Sequence, residues 1–305
     1  MAYYTGTAND MAALRQVLID ACVLEGWSWD AGAEVLSKGG LYLRATLSAD
    51  GLSLLGRTSA AAGSAPNAVR IGKLFQKVGQ PTYDIEFPAT YEIFAHPGEV
   101  YLVVNYAADR YQWAAFGQST VDGMSGTGMW FAATSAQLVA GSPGGTQTAP
   151  IDIGLTGTGA GSILTSAAPF WARSSNYATV NNGFVHSDLD GQGWQMGAGA
   201  NLNDFGIAPA ATLLGILPNS WNSEAVLLPI RVYKARSANK ISLVADLEHA
   251  RYTRVDNYEP GQVIAIGDDR WKVFPFYRKN AAVRSGGAGI NHTGTFGWAI
   301  RYEGP

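Results

Sequence analysis

From Leu41 onward the apolar residues of this chain recur at every second position, in runs separated by turn residues. A period of two places alternate side chains on opposite faces of an extended strand, so such a chain is confined largely to antiparallel sheet. Leu41–Leu47 and Leu52–Arg57 flank Ser48-Ala-Asp-Gly51, whose Asp-Gly pair predicts a tight hairpin. Further strands are predicted at Val69–Leu74, Tyr83–Phe87, Tyr91–Phe94, Val100–Tyr106 and Tyr111–Gly117, with His96-Pro-Gly98 and Ala107-Ala-Asp109 as turns. Composition agrees: 37 glycines, nine Trp, fourteen Tyr and eleven Phe in 305 residues suit Gly-rich turns between aromatic strands.

Residues 8–25 depart from that pattern. Met11, Leu14, Leu18, Ala21 and Cys22 recur at spacings of three and four, with Glu25 continuing the row, which predicts a helix with one buried stripe. Thr7 is the expected N-cap and Gly26 the C′ residue, and Ala33–Ser37 reads as a short helical turn. Residues 1–120 thus read as a helix packed on an antiparallel sheet. Residues 121–225 differ, because Gly123-Met-Ser-Gly-Thr-Gly128 and Gly154-Leu-Thr-Gly-Thr-Gly-Ala-Gly161 alternate with isolated aromatics at Trp130, Phe131, Phe170, Trp171, Tyr177 and Trp194. They read as a Gly-rich insertion or interaction segment.

Residues 226–305 return to dense strand patterning. Val226–Tyr233 and Lys240–Leu247 flank one turn, Val263–Ile266 and Trp271–Phe276 flank Gly267-Asp-Asp-Arg270, and Thr295–Tyr302 forms a last strand. Pro275 restricts its strand to an edge or a bulge, and an edge is where another subunit can add. The expected class is β-dominated α+β: an N-terminal helix on an antiparallel sheet, a Gly- and aromatic-rich middle, and a C-terminal β module.

Catalytic and cofactor signatures do not emerge. The histidines, His96, His186, His249 and His292, form no recognisable ligand pair, and the lone Cys22 excludes a Cys-based zinc site and an intrachain disulfide. His186-Ser-Asp188-Leu-Asp190-Gly191 approaches a calcium loop but has His first and Gly197 where the closing Glu belongs. An acidic turn or a non-standard ion site both fit it. Gly157-Thr-Gly-Ala-Gly161 has Ser162 at the last position of a dinucleotide fingerprint, with no helix following, and no Gly-x-Ser-x-Gly elbow occurs. No cofactor and no enzymatic activity are expected.

Charged residues are only 15% and the net charge is −3, so a broad basic face for nucleic acid is not expected. So few charges also suggest a surface partly covered by neighbours. Arg270, Lys272, Arg278, Lys279 and Arg284 form one basic cluster, with Asp256, Glu259, Asp268 and Asp269 close in sequence. It reads as internal neutralising pairs, with an acidic patch on a neighbouring subunit as the sharper alternative. No signal peptide opens the chain and no apolar run approaches the roughly 18 residues of a membrane span, so synthesis and assembly are expected in the cytosol.

Three strings carry a resemblance: Tyr3–Trp29, Val100–Gly117 (Val-Tyr-Leu-Val-Val-Asn-Tyr-Ala-Ala-Asp-Arg-Tyr-Gln-Trp-Ala-Ala-Phe-Gly) and Arg251–Tyr302, with its Arg254-Val-Asp-Asn-Tyr-Glu-Pro-Gly-Gln-Val core. In these the chain resembles structural proteins of tailed-bacteriophage virions. The resemblance implies a non-enzymatic subunit, tail-associated in a baseplate or tail tip or else part of the neck or collar, located in the virion after assembly in the host cytoplasm. Its partners would be copies of itself and other tail or neck proteins, and the family has no catalytic residues to carry over. Aromatic anchors of such an interface are expected at Trp130, Trp171, Trp194, Trp271, Phe276 and Tyr277. A receptor- or carbohydrate-binding tail protein would use the same aromatics as stacking platforms. A phage glycan hydrolase would need two convergent carboxylates, with Asp188, Asp190, Asp204, Glu224 and Asp256 as the available acids.

Overall fold

A computed structural model describes residues 1–48, 51–75, 82–83, 85–136, 170, 182–196, 204–205, 226–238, 240–279 and 296–305. The chain runs β1 (Ala2–Ala8), α1 (Met11–Leu24), β2 (Ser28–Asp30), β3 (Val35–Lys38), β4 (Leu41–Ser48), β5 (Gly51–Arg57), β6 (Val69–Gly72) and β7 (Leu74–Phe75). It continues through β8 (Thr82–Tyr83), β9 (Ala89–Ala95), β10 (Glu99–Ala107), β11 (Arg110–Gln118), β12 (Met129–Ala133), β13 (Ser135–Ala136), β14 (Gly183–His186) and β15 (Trp194–Met196). The remaining strands are β16 (Asp204–Phe205), β17 (Leu228–Arg236), β18 (Lys240–Arg254), β19 (Val263–Ile266), β20 (Asp269–Pro275) and β21 (Phe296–Arg301). The fold is thus mostly β, with one N-terminal helix packed on antiparallel sheet, as the patterning predicts.

Three large sheets are stacked. The central one has the order β1-β9-β10-β11-β12-β14-β15, a second β13-β6-β5-β4-β3-β2, and the C-terminal one β16-β17-β18-β21-β20-β19. Alternation along the central strands divides two cores. Val100, Leu102, Val104, Phe116 and Phe131 pack with α1 and the second sheet (Leu14, Leu18, Leu43, Leu54, Ile71). Their neighbours Tyr101, Val103, Trp113, Ala115 and Trp130 pack on the C-terminal sheet (Ile230, Tyr252, Phe274, Trp298, Ile300). A sheet covered on both faces needs apolar residues at successive positions, and Val100–Val104 is such a run.

The layers cut across the three segments read from the sequence. Strands β12, β14 and β15 of the 121–225 segment extend the sheet begun by β1, and Phe170 from the same segment lies 4.1 Å from Trp113 in the second core. Most of the Gly-rich remainder, including Trp171 and Tyr177, lies outside the described residues.

Local readings are also corrected. Helix α1 starts at Met11 because Asp10 caps it, its side chain accepting from Ala13 N–H at 2.7 Å, whereas Thr7 is within β1, opposite Thr90. Ala33–Ser37 is no helical turn, since Val35 begins β3. Strand β20 is not an edge, being flanked by β21 and β19. Pro275 fits there because β19 pairs only as far as Lys272, so no donor is needed at its position.

Candidate functional site

The polar groups that penetrate the layer between the central and C-terminal sheets form the best-defined polar cluster among the described residues. Glu99 opens β10 and is 2% exposed. Its Oε1 accepts from Glu248 N–H at 2.9 Å, and its Oε2 accepts from His249 N–H at 2.9 Å and Tyr101 Oη at 2.7 Å and lies 2.8 Å from His249 Nδ1. The two backbone donors are free for it because β18 breaks step with β17: Asp246 pairs with Arg231 and Arg251 with Pro229. The intervening Leu247–Ala250 stretch therefore leaves the ladder with β17. Three of these contacts crowd Oε2 and one falls on Oε1, so the buried carboxylate is engaged mainly by the chain's own groups.

His249 stacks on His96, ring centroids 3.8 Å apart. His96 follows β9 and is 3% exposed, and its Nε2 is buried without a hydrogen-bond partner. Burial, then the neighbouring His249, the α-amino group and Arg301, push its pKa down to about 3, so the ring is neutral near pH 7. Burial and the Glu99 carboxylate hold the Tyr101 hydroxyl well above the usual phenol range.

A second tie crosses the same layer. Lys272 of β20 bonds Glu92 of β9 and Tyr3 Oη of β1, the latter at 2.9 Å, and its ammonium sits 5.0 Å from the Tyr3 ring centroid and 5.5 Å from that of Tyr302. Burial works against its charge, but the bonds to Glu92 and Tyr3 outweigh burial and raise the pKa above the ordinary lysine value. On the opposite face of the central sheet Gln112 grips the backbone of Gly72, donating to its carbonyl at 2.8 Å and accepting from its N–H at 2.9 Å.

The basic cluster of the sequence is dispersed into separate contacts. Arg270 donates to Gly304 O at 2.6 Å, Arg278 pairs with Asp109 at 2.7 Å, and Lys279 is buried with Asp256 O 3.4 Å away. Burial lowers the Lys279 pKa. Arg284 lies outside the described residues. Two of the partners, Glu92 and Asp109, come from the central sheet and not from the nearby acids of the sequence.

In the His186–Gly191 turn, Asp188 and Asp190 adopt left-handed backbone, φ 47° and 56°. The Asp190 carboxylate receives Arg236 through Nη2 at 2.5 Å and Nε at 3.2 Å, and this pairing lowers its pKa. An ion here would have to displace that guanidinium. Among the described residues no group of three or more His, Cys, Asp and Glu side chains has the arrangement of a metal site.

The expected aromatic anchors do not form one surface. Trp130 and Phe276 are each 0% exposed and belong to the core against the C-terminal sheet, while Tyr277, 1% exposed, belongs to the core on the helix side. Trp271 is 5% exposed on the far face of the C-terminal sheet, beneath the Arg251 guanidinium at 5.2 Å. These four side chains fill the chain's own interior and offer a partner no area, which corrects their reading as anchors. Trp194 is half-buried, its Nε1 donating to Gly63 O at 2.8 Å, and Trp171 lies outside the described residues.

Sequence reasoning missed Glu99, His96 and His249 as a unit, because their partners are about 150 positions apart. The available signal was an acid directly preceding the apolar run Val100–Val104, where a buried charge needs donors. No protein-family model matches the chain, and no curated protein matches it in sequence.

Proposed function

We propose that this chain is a non-catalytic structural subunit of a tailed-phage particle, tail-associated or in the neck, working through contacts with copies of itself and other particle proteins. The observation that supports the reading is where the three resembling strings lie. Tyr3 meets Tyr302 at 5.1 Å, Tyr101 meets Trp298 at 5.8 Å, and Trp113 meets Phe276 at 5.7 Å. Described residues of all three strings thus meet where the central sheet packs on the C-terminal one, which supports reading the resemblance as one of scaffold. The most buried acid among the described residues, Glu99, is engaged by internal donors, which suits a load-carrying role better than catalysis.

The test is mass spectrometry of gradient-purified particles from a strain carrying the gene, followed by electron cryomicroscopy. A fixed copy number per particle, with the chain built into the tail or neck density, is the expected result. Abundant chain in the lysate and none in particles sinks the proposal.

A further inference from the structure

We infer that β1 is an interface through which two copies of this chain pair, antiparallel about Thr5, joining their central sheets. The inference deepens the assembly reading above by naming its partner as a second copy. The three large sheets end in six edge strands among the described residues. Five of these are four residues or shorter: β15, β2, β13, β16 and β19. Brevity is one of the ways a sheet protects its edges from other chains. Strand β1 has seven residues, and it lacks the other protections too: no charged residue, no proline, and no register shift along its pairing with β9.

The free backbone groups of β1 follow from the register. His96 N–H bonds Glu99 O at 2.8 Å and closes the β9–β10 hairpin. Counting back in twos, Phe94, Glu92 and Thr90 turn their backbone groups toward β10, and Ala95, Ile93, Tyr91 and Ala89 turn theirs toward β1. These four lie opposite Ala2, Tyr4, Gly6 and Ala8. Tyr3, Thr5 and Thr7 therefore aim three N–H and three C=O groups away from the sheet, and no described residue bonds them. The side chains of Thr5 and Thr7 are exposed.

An extended strand is the only occupant that can match such a row, and β1 itself is complementary to it. With Thr5 opposite the partner's Thr5, Tyr3 faces the partner's Thr7 and Tyr4 faces the partner's Gly6. All six outward groups on each copy are then satisfied, every tyrosine faces a small residue, and no like charges meet in the paired stretch.

The test uses the full chain in size-exclusion chromatography with light scattering. Wild type is expected at twice the monomer mass. Thr5→Pro removes, besides the exposed hydroxyl bond to Tyr91 O, an N–H that has no partner among the described residues, so it should give a folded monomer with unchanged circular dichroism. Thr5→Lys and Thr5→Glu should each be monomeric alone, and an equimolar mixture should recover the dimer, because only homotypic pairing sets these two positions against each other. A monomeric wild type, a Thr5→Pro variant that still dimerises, or a Lys and Glu pair that fails to recombine overturns the inference. A solution dimer whose chain is absent from particles overturns the virion reading alone, and a particle-borne chain that is monomeric in solution overturns this one alone.

Discussion

Glu99 accepts hydrogen bonds from the backbone N–H groups of both Glu248 and His249, joining the start of β10 to the interruption in β18 across two sheets. Glu99→Ala leaves those part-buried donors and the buried Tyr101 hydroxyl without their acceptor. At about 1–3 kcal/mol for each orphaned group, the loss should exceed ~3 kcal/mol in urea unfolding. Glu99→Gln keeps one acceptor oxygen and should lose roughly half as much. Equal stability of Glu99→Ala and wild type would remove the clamp from the account.

The neutral His96 ring makes stability depend on acid. Its folded pKa lies below the ordinary histidine value, so its contribution is complete above about pH 6.5. It is lost progressively as pH falls toward about 3, because the unfolded chain takes up a proton that the folded one refuses. The slope is up to about 1.4 kcal/mol per pH unit. His96→Phe retains a ring to stack on His249 and cannot titrate. Urea midpoints between pH 7 and 4 should fall more steeply for wild type than for this variant, and parallel curves would show that the folded chain protonates His96 as readily as the unfolded one.

Trp130 separates a core role from an anchoring role. It is fully buried, with Tyr101 at 6.1 Å and Phe170 at 6.3 Å, so Trp130→Ala should cost about 3–5 kcal/mol in the purified chain before any assembly. Trp194→Ala, at a half-buried position, should cost roughly 1–2 kcal/mol. A stable Trp130→Ala chain that fails only in incorporation would restore the anchor.

Gly297 admits no side chain. A Cβ there would lie 2.3 Å from Phe274 O and 2.5 Å from Val255 Cγ1, and the first of these is backbone in the adjacent strand β20. Gly297→Ala should destabilise by ~3 kcal/mol through strand displacement. Calorimetry showing an unchanged melting temperature would contradict this packing.

The sequence revealed local elements far better than layers. The Leu41–Arg57 hairpin was readable because both its alternation and its turn chemistry are local, and the pairing of Tyr42 with Arg57 and Leu47 with Leu52 follows. Strand β1 was missed because Ala-Tyr-Tyr-Thr-Gly-Thr-Ala has no alternation, being an edge strand with one partner. The N-cap was misplaced with it. The stacking of three sheets was half-visible in the unbroken run Val100–Val104, but which segment covers each face depends on contacts between distant positions. The same distance hid the union of Glu99 with His249, while Trp130 and Phe276 look alike in sequence whether they face a neighbour or an interior.

The doubly covered central layer also dictates when the chain becomes safe to leave alone. The residues that shield Tyr101, Trp113 and Trp130 are Ile230, Tyr252, Phe274, Trp298 and their neighbours, more than a hundred positions later for Tyr101. A growing or truncated chain that stops after β15 lacks the C-terminal sheet that covers most of that aromatic face, the kind of surface on which partly folded chains aggregate. Pairings between such remote segments are also slow to form. The shielding of that face therefore waits on β21, the last of the described strands to leave the ribosome.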